Sequence, residues 1–169
     1  MCYGSLLASA FAHKQMFMKH TFALLIIAAA VFALLSCEYT FPLTEPTQPV
    51  EKRVVGDYTS ATPERQWLKI RPLDENHYIV VHDGTIFRAH HSEVDGMALV
   101  SLENLDDGTG KWTYLCWQLS DGGKTLTVRN VAKAVLPYET ANAAAARKLL
   151  TVNRRNPELF GAEMVFRRN

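Results

Sequence analysis

The sequence predicts a mainly β fold: an antiparallel meander, closed into a barrel or left as an open sheet, with one C-terminal-half helix between the last strands. Three observations predict it. From Val54 onward, apolar and polar residues alternate with the period of two that half-buried strands require. Asp83-Gly84, Asp106-Asp107-Gly108-Thr109-Gly110 and Ser120-Asp121-Gly122-Gly123 interrupt the alternation at hairpin spacing. A single stretch of helical composition, 141–150, falls late in the chain. This pattern covers only part of the 169 residues, because 26 of the first 36 are apolar against 55 of the remaining 133.

The apolar segment has the form of an address. Residues 22–35 are an unbroken apolar run of fourteen, short of the roughly 20 helical residues that cross a bilayer but long enough for a signal-peptide core. Lys19 and His20 precede it, and Leu34-Leu35-Ser36-Cys37 follows. These residues resemble the lipobox of bacterial lipoprotein precursors, although Leu35 is bulkier than the usual residue there. The resemblance implies cleavage before Cys37, lipidation of Cys37 and permanent attachment to a membrane through acyl chains of the palmitate kind. Glu38 stands where Asp would retain such a protein at the inner membrane, which favours an outer-membrane lipoprotein facing the periplasm. The expected organisation is therefore a signal peptide at 1–36 with its true start at Met16 or Met18, a lipidated Cys and Pro-rich tether at 37–52, and a periplasmic β-rich domain at 53–169. Pro42, Pro46 and Pro49 exclude a helix from the tether and favour an extended chain.

Eight strands are expected, at 54–58, 66–71, 78–82, 85–91, 97–103, 111–119, 125–131 and 163–167. Eight suffice to close a barrel. The Asp83-Gly84 pair suits a two-residue type I′ turn, because both positions need positive φ. That turn sets Val81 opposite Ile86, Val80 opposite Phe87, Ile79 opposite Arg88 and His77 opposite His90. Thr140 is the expected cap of a helix whose Ala141, Ala145, Leu149 and Val152 share one face, with Asn153 as its stop. Residues 156–161 then read as one short turn that brings Leu159 and Phe160 to plug an end of the sheet. Gly56-Asp57-Tyr58 at the opening and Met164-Val165-Phe166-Arg167 at the close are similar to the lipocalin or calycin pattern. There, Gly-x-aromatic begins the first strand and a late Arg packs across it; Tyr58 stands where lipocalins carry Trp. The resemblance implies a calycin-like barrel.

Few residues carry chemistry. His77, His82, His90 and His91 lie near Asp83, Glu93 and Asp95, and of these His77 and His90 form the pair best placed to meet one ion. A zinc site wants four ligands, or three and a water, so solvent-facing strand histidines are the plainer reading and no metal or other cofactor is assigned. Cys116 is the one thiol left if Cys37 is lipidated and Cys2 removed, and no cation beside it in the sequence would activate it. Trp112, Tyr114 and Cys116 share one face of their strand, and Leu115, Trp117 and Leu119 the other, so both faces are covered. In a barrel, Trp112, Tyr114 and Phe87 are the expected lining of a small apolar cavity. Trp67 shares a polar face with Lys69 and Arg71, as a contact residue would. Residues 93–121 hold six acids and one base, whereas 139–169 hold six bases and three acids, which attract each other or meet a partner.

The functional expectation is a binding or interaction module rather than an enzyme, with no assigned catalytic residue. Its partners are a membrane through the N-terminal lipid and either an envelope protein or a small apolar ligand, the latter making it a lipocalin-like carrier. A metal-dependent hydrolase using the His77/His90 region is a further alternative. Near-balanced charge, 18 basic against 17 acidic residues, argues against nucleic acid.

Overall fold

The computed structural model describes residues 39–169 except 63, 64 and 107. The signal peptide, the alternative start at Met16 or Met18, and Cys37 lie outside the described residues. Eight antiparallel strands pair in chain order and close on themselves. They are β1 (Gly56–Ser60), β2 (Trp67–Pro72), β3 (Tyr78–His82), β4 (Thr85–Val94), β5 (Met97–Asn104), β6 (Trp112–Ser120), β7 (Thr125–Val131) and β8 (Phe160–Arg168). One helix, α1 (Ala143–Asn153), connects β7 to β8.

The hairpins have the chemistry that their residues dictate. Asp83 and Gly84 adopt φ of 47° and 96°, and β3 meets β4 in the expected register, with Val81 opposite Ile86 and Ile79 opposite Arg88. Asp95-Gly96 repeats the device with φ of 51° and 77°, so β4 runs on to Val94 instead of stopping at His91. β8 begins at Phe160, earlier than expected, because a register irregularity between Arg129 and Val131 lets Val131 pair with Phe160.

Alternation then sorts side chains to two sides of the wall. Inside lie Tyr58, Leu68, Ile70, Tyr78, Val80, Ala89, Val100, Leu102, Leu115, Leu126, Val128 and Phe166. A second apolar cluster lies outside, against β4, β5 and β6. It joins Val94, Leu99, Trp112 and Tyr114 from the strands to Tyr39, Leu43, Val135, Leu136, Ala146, Leu150 and Leu159.

Residues 39–50 build much of that outer layer and are not a free spacer, which corrects the tether expected at 37–52. Tyr39 exchanges backbone hydrogen bonds with Trp112, at 2.7 and 2.6 Å, and its hydroxyl donates to the Leu136 carbonyl. The Phe41 carbonyl accepts from the Tyr114 hydroxyl at 2.5 Å. The Leu43 N–H donates to Ser101 Oγ at 3.3 Å, and the Leu43 carbonyl accepts from Arg147 Nη1 at 2.6 Å. The strap thus crosses β6, β5 and β4 before Val50 N–H reaches the Glu75 carbonyl at 2.9 Å. The prolines keep this segment extended, and its polar backbone is satisfied by the wall.

The helix also differs in detail. Asn142, not Thr140, is the cap: its Oδ1 accepts from Ala145 N–H at 3.0 Å, while the Thr140 hydroxyl donates to the Pro137 carbonyl at 2.5 Å. Starting two residues later, α1 buries Ala146 and Leu150 and leaves Val152 exposed. The run of alanines carries no stripe of its own, so the helix turns whichever face its ends and the strap allow. Leu159 is buried in the outer cluster rather than plugging the sheet.

Leu43 has no exposed surface. Leu43→Ala is expected to lower the free energy of unfolding by about 2–5 kcal/mol, as other buried Leu→Ala changes do. Leu73→Ala, at a position 51% exposed, is expected to change it by less than about 0.5 kcal/mol. Urea unfolding of the two variants checks the contrast.

Candidate functional site

The two ends of the barrel are unlike. At one end, where the chain enters β1, a single 3-10 turn at Lys52–Val54 brings Val54 into the interior cluster. Arg168 fastens it. Its guanidinium lies 5.1 Å above the Tyr58 ring and donates to the Val55 carbonyl at 3.1 Å, the Gly123 carbonyl at 2.9 Å and the Tyr58 hydroxyl at 2.7 Å. A further bond goes to the Arg53 carbonyl. Gly56 makes room for it, since a Cβ there would stand 3.3 Å from the guanidinium carbon. The Tyr58 hydroxyl donates to the Val54 carbonyl at 2.8 Å. Burial raises the Tyr58 pKa, and the Arg168 charge offsets part of that rise.

Deeper at this end, Tyr78 and His91 fill the interior. The Tyr78 hydroxyl accepts from Glu51 N–H at 2.5 Å and faces His91 Nε2 at 2.7 Å. Trp117 packs edge-on against both rings, at 5.3 and 5.6 Å. Burial pushes the Tyr78 pKa up to about 12 and that of His91 down.

The other half of the barrel holds a cavity of about 220 Å³. Its walls are Leu68, Ile70, Val80, Phe87, Leu102, Leu115, Trp117, Val128, Met164 and Phe166, with His82, Thr113 and Asn130 as its polar members. Asn130 is exposed and Phe87, Thr113, His82 and Met164 are partly so, which places the mouth at the end formed by the β3–β4 hairpin and the β5–β6 loop. His82 packs edge-on against Phe166 with centroids 5.9 Å apart. Its Nε2 is buried with no hydrogen-bond partner, and the Asp83 carboxylate stands 3.8 Å away.

Of the residues expected at a cavity, Phe87 lines it and Trp112 and Tyr114 do not. The latter two face outward and are buried under the strap, with Tyr39 stacked on Tyr114 at 4.7 Å. Alternation assigned them one common face but could not say which face is interior, because both faces of β6 are apolar. Leu115 and Trp117 hold the inner positions instead. Trp67 is exposed as expected, with Lys69 Nζ 5.1 Å from its ring centroid.

His77 and His90 do approach, with ring centroids 5.8 Å apart. Each has another partner, however. His77 Nδ1 lies 2.9 Å from the Asp74 carboxylate, and His90 Nε2 donates to the strap carbonyl of Thr44 at 2.8 Å. Among the described residues, no group of three or more His, Cys, Asp and Glu is arranged to hold a metal ion. Cys116 is half-buried, and burial pushes its thiol pKa up despite the opposing Arg129 charge. That is the opposite of activation. Among the described residues, the acidic and basic stretches meet in the ion pair of Asp95 with Arg154 at 2.7 Å.

No family model, curated protein or solved structure matches the chain.

His90 and His91 set a pH dependence. Burial lowers both pKa values, so the folded protein binds these protons less readily than the unfolded chain does. Their contribution is complete above the unfolded value of about 6.5 and is lost as pH falls from there toward the folded values. The urea midpoint is therefore expected to fall between pH 8 and pH 5.5. His90→Gln, which keeps an N–H for the Thr44 carbonyl but does not titrate, is expected to flatten that fall.

Proposed function

We propose that the protein is a membrane-anchored envelope lipoprotein, held by acyl chains on Cys37, and that it works as a binding module. Its interior cavity is the binding site, which makes it a lipocalin-like carrier of a small apolar ligand. The cavity is the observation that carries this reading. A closed eight-stranded barrel has an interior that side chains can just fill or that one small ligand can occupy, and here large side chains fill one half and leave the other open. The ligand is bounded by the volume. At about 30 Å³ per water, 220 Å³ equals roughly seven waters and falls below the 300–1,000 Å³ typical of sites for drug-sized molecules. The site suits one end of an acyl chain or a single ring, with the bulk of a larger molecule left at the mouth.

The lining gives such a ligand an apolar wall and three polar groups near the mouth, His82, Thr113 and Asn130. Arg168 stacks on Tyr58 beside Gly56, one position after the Arg167 on which the calycin resemblance rests, and this supports the carrier over a module that works by its surface alone. An enzymatic reading has less support, since His77 and His90 are engaged with Asp74 and Thr44.

Trp117 lines the cavity and reports its occupancy. Titration with octanoate or a naphthalene probe is expected to change Trp117 emission saturably, and Leu102→Trp, which fills the cavity, is expected to weaken binding at least tenfold. A protein that binds neither probe, or binds both equally well with the cavity filled, would not be a carrier of this kind.

A further inference from the structure

We infer that the open end of the barrel is a membrane-docking face, so that the mouth of the cavity rests on the lipid surface to which the chain is anchored. This rests on the lipid anchor proposed above and adds to it an orientation.

Three observations at the same end carry the inference. The strap begins there: Tyr39 is fixed by two backbone bonds to Trp112, the first residue of β6 after the β5–β6 loop. Cys37 precedes Tyr39 by two residues, and two residues reach at most about 7 Å. A lipid on Cys37 therefore has no free spacer between it and the barrel wall. An anchor on a long linker would leave the domain free to tumble, but an anchor this close limits which end can face the bilayer.

The second observation is the exposed apolar surface. Trp67, Ile86 and Leu105 are 38%, 39% and 40% exposed, and all three lie at the mouth end, on β2, β4 and the start of the β5–β6 loop. They are neighbours across the strands. Trp67 N–H donates to the carboxylate of Asp83 at 2.8 Å, Ile86 pairs with Val81 of the same hairpin, and Leu105 N–H donates to the Ile86 carbonyl at 2.9 Å. An aromatic ring beside a lysine, as in Trp67 and Lys69, suits the interface between water and lipid headgroups. Two acids of this end bind backbone there, Asp83 to Trp67 N–H and Asp106 to Ile86 N–H at 3.1 Å. Among the described residues, the loops of the sealed end carry Leu73 as their exposed large apolar side chain.

The third observation is the cavity, which opens at the end that carries the apolar rim. A lipid surface there would let an apolar group pass between bilayer and barrel without crossing water. The occupant is the bilayer rather than a protein partner, because the anchor brings this end to the lipid whatever else is present.

The test uses the full chain, processed in bacterial cells and reconstituted in phosphatidylethanolamine and phosphatidylglycerol vesicles containing doxyl-labelled lipid. In a Cys116→Ser background, an environment-sensitive fluorophore is placed at Ile86→Cys or at Leu73→Cys. Mass spectrometry first reads the acylation of Cys37. With Cys37 acylated, the Ile86 probe is expected to shift to the blue and to lose at least half its emission to the doxyl lipid, and the Leu73 probe to do neither. An acylated protein whose two probes are quenched equally, or whose Ile86 probe shifts without quenching, overturns the docking face and leaves the anchor standing. An unmodified Cys37 overturns both.

Discussion

The closure of the barrel depends on the guanidinium of Arg168. It binds carbonyls of Arg53, Val55 and Gly123 and the hydroxyl of Tyr58, and it covers the Tyr58 ring. One side chain thereby ties the last strand, the first strand, the turn that precedes it and the β6–β7 turn. Hydrogen bonds from an ionised donor are about twice as strong as neutral ones, and the seam they reinforce is short: β1 and β8 pair through Tyr58, Thr59 and Ser60. With this end sealed, the interior space is displaced to the other half of the barrel, and the asymmetry on which a carrier relies follows from that.

The wall is covered twice, which explains its composition. β4, β5 and β6 bury side chains both inside the barrel and beneath the strap and helix, and β6 reads as a nearly continuous apolar run. Between the layers the Ser92 and Ser101 hydroxyls meet at 2.8 Å, and His90 Nε2 reaches the Thr44 carbonyl while its Nδ1 is buried without a partner. The strap is thus part of the folded domain, and it makes Tyr39 a fixed point on the barrel.

Much of this architecture was legible in the sequence. Period-two alternation and the Asp-Gly turns fixed eight strands and the β3–β4 register, and the late alanine run located the helix. The errors have physical causes. Asp95-Gly96 carried the same turn signal as Asp83-Gly84, but the apolar pattern of β4 weakens after His91 as its covered face moves outward. The strap reads as a tether because of its prolines, although Tyr39, Phe41 and Leu43 alternate as a strand on a surface would. Inside and outside could not be told apart on β6, where Trp112 and Tyr114 are as apolar as Leu115 and Trp117. The cavity was legible only as a consequence of closure; Phe87 was placed in it correctly, while His82, Thr113 and Asn130 carried no local signal because their meeting depends on strands far apart in the chain.

The central claim, that a ligand enters the barrel rather than binding to its outer layer, is tested most directly by methyl-resolved NMR during titration with octanoate. Shifts confined to Val80, Leu102, Leu115, Val128 and Met164, with Leu99, Val135 and Leu150 unmoved, would bear it out. Shifts centred on the latter three, or no saturable shift at any methyl, would contradict it.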